Sequence, residues 1–145
     1  MEKAAVRTPV HLWIVGAVAI VWSLFSVMDY VMIQTHNQAY LAGFSPEQRA
    51  YFDNFPVWKG AAWAAGAWGA LLGALLLVVR SRWAVWAFGV ALAGLVVAAL
   101  YYFTPAPRPA WRLDGLTIVM NGMDWLIAIF LPVYALRMRG RGVLR

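Results

Sequence analysis

Apolar residues occur in four long runs that short polar segments separate. The runs cover roughly residues 12–33, 57–79, 83–103 and 115–136. A helix of about 20 consecutive apolar residues is long enough to cross a bilayer. The pattern therefore predicts an all-α fold, a four-helix transmembrane bundle that forms a single domain over residues 1–145.

The first run could be mistaken for a signal peptide, because Lys3 and Arg7 precede it. It is too long for the apolar region of a signal peptide, and no small-x-small cleavage site follows at the right distance. We therefore expect it to be retained as the first helix.

The composition is typical of a membrane protein. Of 145 residues, 63% are hydrophobic and only 12% are charged, whereas soluble domains have about 45–50% apolar and about 25% charged residues. The nine Trp, six Tyr and seven Phe are residues that favour the membrane–water boundary. The net charge of +6 comes from bases in short segments between the apolar runs. This distribution predicts contact with lipid headgroups and no nucleic-acid partner.

The bases also predict the orientation of the chain. Eight of the twelve lie on the side of the N-terminus, namely Lys3, Arg7, Arg80, Arg82, Arg137, Arg139, Arg141 and Arg145. Four lie on the other side, namely Arg49, Lys59, Arg108 and Arg112. Cytoplasmic loops carry an excess of Lys and Arg, so both termini are expected in the cytoplasm.

Two segments on the predicted outer side differ in character. In residues 34–56, Ser45 and Gln48 have the spacing of a capping box, with Pro46 at the first helical position. We expect a short amphipathic helix from Pro46 to about Asn54. Residues 104–109 are rich in proline and predict a stiff turn that carries no functional residue.

Small residues recur at helical spacing in the second and third runs. They are Ala62, Gly66, Gly69, Ala70 and Gly73, followed by Gly89 and Gly94. Such residues let helices approach closely in lipid, either inside the bundle or against a partner helix. Internal packing is the favoured interpretation.

Polar residues interrupt the first and fourth runs at helical spacing. One face of the first helix carries Trp22, Ser26, Asp29 and Ile33. One face of the fourth helix carries Thr117, Asn121, Asp124 and Ala128. A carboxylate at membrane depth costs a few kcal/mol or more, so it is rarely there without a partner or a task. The two stripes are expected to face each other.

These residues predict a small outward-facing polar pocket with Asp29, Asp124, Asn121 and Lys59 as candidates for binding a substrate or an ion. We expect Asp29 to pair with Lys59. Asp124 lies deeper, without an obvious basic neighbour, and is expected to carry a proton at neutral pH, which suits proton-coupled exchange or cation binding. The alternative is structural, because Asp, Asn and Thr can cross-link helices by hydrogen bonds.

No enzyme signature is found, so no catalytic residue, metal or cofactor is predicted. The sequence has no Gly-rich phosphate loop, no carboxylates paired at metal-ligand spacing on one helix and no His-based triad. His11 and His36 flank the first run, and a helix of about 25 residues holds them more than about 30 Å apart. The chain has no cysteine, which excludes disulfides and iron–sulfur clusters.

The chain resembles a family of small four-helix inner-membrane proteins of proteobacteria, many of which are labelled "sugar transporter". The resemblance rests on residues 11–16, Trp22, residues 29–32, Gln34, Asn37, Tyr40, and residues 45–48, 51–52, 55–58, 63–73 and 75–77. It covers the first half well and the second half loosely. Ser23 and Ser26 replace the Asn and Gly that are usual there.

The resemblance implies four helices and a location in the bacterial inner membrane. The leading functional hypothesis is a small transporter-like protein that couples transport to protons and forms a homo-oligomer. The alternative is a non-catalytic accessory subunit of a larger membrane complex.

Overall fold

The computed structural model of the protein describes residues 7–106 and 108–145. Lys3, and Pro107 in the predicted proline-rich turn, lie outside the described residues. All regular elements in the described part are helical. They are α1 (Val10–Gln34), α2 (Gln38–Leu41), α3 (Pro46–Asp53), α4 (Val57–Val78), α5 (Ala84–Ala99), two 3₁₀ turns (Leu100–Phe103 and Ala110–Leu113) and α6 (Gly115–Gly140).

Four of these helices are long and apolar enough to cross a membrane. They are α1, α4, α6 and the continuous segment Ala84–Phe103, which joins α5 to the first 3₁₀ turn. The predicted all-α, four-span fold is therefore confirmed, and the chain is a multi-pass membrane protein. The predicted ends are close to those observed. The largest difference is at the end of α6, which continues to Gly140 rather than ending at residue 136.

The short helix α3 begins at the predicted capping box. The Ser45 hydroxyl accepts a hydrogen bond from the Gln48 backbone N–H at 3.2 Å, and the Gln48 side chain accepts one from the Ser45 N–H at 2.8 Å. Pro46 occupies the first helical position. These bonds satisfy N–H groups that a helix start would leave free. The helix ends at Asp53, shortly before α4 begins at Val57, and Phe52 near its end stacks on Trp63 of α4.

The closest helix pair is α4 with α5, which meet along a glycine seam formed by Gly66, Gly69 and Gly73 of α4 and Gly94 of α5. A Cβ atom at Gly94 would lie 2.6 Å from both the Ala62 carbonyl oxygen and the Gly66 nitrogen. These are backbone atoms, so only a residue without a side chain fits. The small residues of α4 therefore pack inside the bundle. On the same helix as Gly94, Gly89 faces open space.

Helix α6 is the least enclosed of the four spans. Only 6% of its most apolar window is buried, against 28–33% in the other three spans. It packs mainly against α5. Its backbone does not approach α1 as closely as the neighbouring helices approach each other. Side chains therefore have to bridge the space between α1 and α6.

The bundle has two chemically different ends. At the arginine end, where α1 begins and α6 finishes, Leu12, Leu77, Met138 and Leu144 belong to the buried apolar core. The residues after α6 stay at this end, where the Arg145 N–H donates to the Arg80 carbonyl oxygen at 2.8 Å. The opposite, or loop, end carries α2, α3 and the two 3₁₀ turns.

Candidate functional site: a cavity between the four spans

A cavity of about 120 Å³ lies between the four spans, and each of them contributes to its wall. Most of the wall consists of alanine, glycine, leucine, isoleucine and aromatic side chains. Besides the indole of Trp63 in α4, the groups that can form hydrogen bonds belong to Trp22, Ser23 and Ser26 of α1 and Asp124 of α6. The cavity is thus apolar apart from one side, where a carboxyl group, two hydroxyls and an indole are gathered.

Asp124 is the ionisable residue among those that line this cavity. Helix α6 begins at Gly115, and at about 1.5 Å per residue Asp124 lies about 14 Å along the helix axis from that start. This depth is near the middle of a bilayer. The Trp22 indole N–H donates a hydrogen bond to its Oδ1 atom at 3.1 Å. This bond joins α1 to α6, so the two predicted polar stripes meet here.

Asp29 lies apart from the cavity. The Tyr40 hydroxyl donates a 2.5 Å hydrogen bond to its Oδ1 atom, and Asp29 is absent from the cavity wall. Burial and the neighbouring Asp29 carboxylate raise the pKa of Tyr40 to about 12. The two aspartates, which have similar neighbours in sequence, therefore occupy different sites and have different partners.

The predicted ion pair between Asp29 and Lys59 is wrong. Lys59 is only 8% exposed, and its ammonium nitrogen lies 3.1 Å from the ring centroid of Phe55, 4.5 Å from that of Tyr101 and 5.3 Å from that of Tyr51. Among the described residues the sole contact of a carboxylate with a basic side chain at ion-pair distance is that of Asp53 with the His36 ring, at 3.5 Å. Because α3 folds back over the start of α4, aromatic faces rather than a carboxylate surround the cation.

The rings around Lys59, together with the neighbouring Phe52, Trp63 and Tyr102, are called the aromatic cluster below. A second base, Arg112, also contacts it. Arg112 donates a hydrogen bond to the Tyr51 hydroxyl, and its guanidinium lies 4.2 Å from the centroid of the Tyr102 ring. Burial raises the pKa of Tyr51, and the nearby Arg112 charge partly offsets that effect. The loop end therefore holds two cations against aromatic rings and a phenol.

Asn121 also lies outside the cavity wall. Its side-chain amide donates to the Thr117 carbonyl oxygen at 2.9 Å, within the same helix. Of the four candidate residues, only Asp124 therefore lines the central cavity. A binding role for any of them stays a prediction.

The aromatic cluster covers the cavity on the side of the loops. Trp63 lines the cavity and contacts Tyr30 of α1 at a centroid distance of 5.2 Å. It also stacks on Phe52 of α3 at 6.4 Å. The cavity is at mid-depth, beneath these rings, where Asp124 was predicted to lie. That the pocket faces outward stays a prediction.

Sequence reasoning missed the partners of both aspartates. Trp22 was assigned to the polar stripe without a role, although an indole N–H is only a donor and suits a carboxylate oxygen. Its position on the same helical face as Asp29 was the available signal. Tyr40 left no comparable signal, because it follows the end of α1 and its contact depends on how the chain turns.

This arrangement is suited to holding a small cation or a proton. No basic side chain lines the cavity, and aromatic faces attract cations electrostatically. Only one carboxyl group is present, and within the described residues no group of three or more His, Asp or Glu side chains is close enough to hold a metal ion. The cavity therefore offers a single negative site in apolar surroundings.

Comparison with protein-family models, curated proteins and solved structures finds no match for this chain. The family resemblance of the sequence thus stays a prediction, and the function is argued from the cavity.

Proposed function

We propose that the chain is a small transporter-like membrane protein that binds a small organic cation at Asp124, in competition with a proton. The observation that carries this proposal is the position of Asp124. Its carboxyl group lies in a cavity between all four spans, at about the middle of the membrane, and its only side-chain hydrogen bond among the described residues is from Trp22.

The walls of the cavity support an organic rather than an inorganic cation. A metal ion requires several oxygen ligands, whereas this cavity offers one carboxyl group and two serine hydroxyls among alkyl and aromatic groups. An alkylammonium ion suits such surroundings, because its carbon atoms contact the apolar wall and its charge attracts both the carboxylate and the rings of Trp22 and Trp63.

Competition between the cation and a proton follows from the cost of charge at this depth. An empty cavity with an ionised Asp124 would contain an uncompensated charge in the membrane, which is expensive. The carboxyl group is therefore neutral when no cation is bound. Binding of the cation then releases the proton, which would couple the movement of the two.

The distribution of bases supports an orientation with both termini in the cytoplasm. The described arginines of the arginine end are Arg7, Arg80, Arg82, Arg137, Arg139, Arg141 and Arg145. By the positive-inside rule this end is cytoplasmic and the loop end faces out. The bacterial inner membrane is part of the same proposal, on the resemblance of the sequence.

A partner for α6 is the second part of the proposal. The apolar window of this helix is only 6% buried, and Gly115 and Gly122 have open space where a side chain would be. Both features favour another helix at this face. A second copy of the chain would give an oligomeric transporter, whereas a larger complex would make the chain an accessory subunit.

Liposomes loaded with a pH-sensitive dye test the binding site. Tetramethylammonium is a suitable probe because it has no proton to lose and cannot dissipate a pH gradient by itself. We expect an inward gradient of tetramethylammonium to drive proton efflux through the wild-type protein. Asp124→Asn should abolish this efflux, because truncating one partner of a buried charge pair costs about 2–5 kcal/mol.

Asp29→Asn is the matched control, since it removes the same charge from a site outside the cavity. It should retain proton efflux close to that of the wild type. Efflux that persists in Asp124→Asn, or that disappears equally in both variants, would contradict the proposal. Circular dichroism establishes that both variants remain helical.

A further inference from the structure

A second pocket, of about 230 Å³ and open to the surroundings, lies at the arginine end. Arg82, Trp83 and Trp86, around the start of α5, form its wall together with Arg139 near the end of α6. The Arg82 guanidinium lies 5.9 Å from the centroid of the Trp83 ring. This pocket has no residue in common with the cavity around Asp124.

The pocket is strongly positive. The described acidic residues are Asp29, Glu47, Asp53, Asp114 and Asp124, all of which lie at the loop end or in the middle of the bundle. Within residues 7–106 and 108–145, neither the Arg82 nor the Arg139 side chain has a carboxylate partner. Two guanidinium groups thus border one pocket whose wall has no acidic side chain. An acceptor from the chain, the main-chain oxygen of Arg145, lies nearby and accepts a hydrogen bond from the Arg82 backbone N–H at 2.8 Å.

The pocket also lies at the boundary of the membrane. Trp83 and Trp86 are 58% and 64% exposed, respectively, at the start of a spanning helix. Tryptophan in this position lies at the level of the lipid headgroups. Lipid phosphates are therefore expected at the level of Arg82 and Arg139.

From this combination we infer that the pocket binds the headgroup of an anionic phospholipid. Guanidinium groups bind phosphate oxygens with paired, charge-assisted hydrogen bonds, and the two tryptophans contact the adjoining glycerol and acyl carbons. A zwitterionic lipid is disfavoured, because the pocket has no carboxylate to balance its ammonium group. Basic pockets between spanning helices are a recurrent form of lipid site.

Native mass spectrometry of the full chain, released from nanodiscs, tests the inference. The probes are phosphatidylglycerol and phosphatidylcholine with identical acyl chains. We expect the wild-type protein to retain one phosphatidylglycerol in preference to phosphatidylcholine. The double variant Arg82→Gln, Arg139→Gln should bind phosphatidylglycerol roughly 1,000-fold more weakly, at about 2 kcal/mol for each arginine that loses its charge-assisted hydrogen bonds.

The double variant Arg137→Gln, Arg141→Gln is the matched control. It removes the same charge from the same end of the bundle but from outside the pocket. Because it loses only diffuse attraction, it should bind phosphatidylglycerol at least about tenfold more tightly than the pocket variant. Arg82→Lys, Arg139→Lys keeps the charge without the paired hydrogen bonds and should be intermediate.

Three results would overturn the inference. Equal losses in the two glutamine double variants would mean diffuse attraction rather than a site. Equal retention of phosphatidylcholine would remove the requirement for an anionic lipid. Displacement of phosphatidylglycerol by millimolar inorganic phosphate would make the pocket a site for free anions. Retained helical circular dichroism ensures that a loss of binding is not a loss of folding.

Discussion

The two sides of the bundle are held together in different ways. Along the glycine seam, the backbones of α4 and α5 are so close that a Cβ atom at Gly94 would lie 2.6 Å from backbone atoms of α4. Between α1 and α6, side chains span the gap through two hydrogen bonds, from Trp22 to Asp124 at 3.1 Å and between His11 and Tyr134 at 2.5 Å.

This difference indicates that the α4–α5 contact is a scaffold and that the α1–α6 contact belongs to the candidate binding site. Close packing of small residues leaves no space between α4 and α5 and no adjustable group at their contact, so this pair acts as a rigid wall of the cavity. The α1–α6 side leaves a cavity and bridges it with groups that can exchange partners. A ligand is therefore most readily accommodated where side chains, and not backbones, make the contact.

The largest expected effect on stability comes from the glycine seam. Gly94→Ala should lower the free energy of unfolding by about 1–3 kcal/mol, because the added methyl group forces α4 and α5 apart. Gly89→Ala in the same helix meets open space and should not destabilise the protein. Tryptophan fluorescence during denaturation by detergent measures both variants. Equal losses would mean that the seam is not the scaffold.

The next effect concerns the bridge between α1 and α6. Trp22→Phe should cost about 1 kcal/mol in stability, since it leaves Asp124 without its indole donor. It should also weaken tetramethylammonium binding, because the carboxyl group is no longer held towards the cavity. Calorimetric titration gives the affinity. An unchanged affinity in Trp22→Phe would show that the bond does not orient Asp124 for binding.

A smaller effect is expected at Lys59. Lys59→Met keeps the length of the side chain and should change stability by less than about 1 kcal/mol, because a lost cation–π attraction is offset by the removal of a buried charge. Tetramethylammonium binding should stay the same. If Lys59 instead neutralised Asp29, the change would leave a buried carboxylate unpaired and cost about 3–5 kcal/mol. Denaturation in detergent separates these outcomes.

The smallest effect is a change with pH at Tyr40. Its pKa is raised from an ordinary value near 10 to about 12 by burial and by Asp29. The folded state therefore favours the neutral phenol. The resulting contribution to stability is complete below pH 10 and is lost as the pH rises through about 12.

Ultraviolet titration of tyrosinate tests this prediction. The difference between the wild-type protein and Tyr40→Phe should show one tyrosine that ionises near pH 12. Asp29→Asn should move that ionisation towards lower pH. A difference curve centred near pH 10 would mean that Tyr40 is not coupled to Asp29.

The fold was readable from the sequence because its causes are local. Runs of apolar residues predict the spans, and the Ser45 and Gln48 spacing predicts the start of α3. Helical spacing also identified the faces that carry Trp22 and Asp124. These predictions need only distances along one helix.

The partners across the bundle were not readable in the same way. Periodicity indicates which face of a helix is polar but not what that face contacts. Lys59 was paired with a carboxylate of the same layer, whereas its actual neighbours are Tyr51 of α3, Phe55 between α3 and α4, and Tyr101 of the first 3₁₀ turn. That outcome depends on the path of the loop and on the packing of three elements, which no spacing along the chain encodes.

Infrared difference spectroscopy of cation binding tests the central claim most directly. If tetramethylammonium displaces a proton from Asp124, its addition should remove the carbonyl stretch of one protonated carboxyl group and create carboxylate bands. Asp29→Asn should give the same difference spectrum, and Asp124→Asn should give none. A protonated-carboxyl signal that is unchanged by the cation, or that persists in Asp124→Asn, would contradict the proposal that this cavity exchanges a cation for a proton.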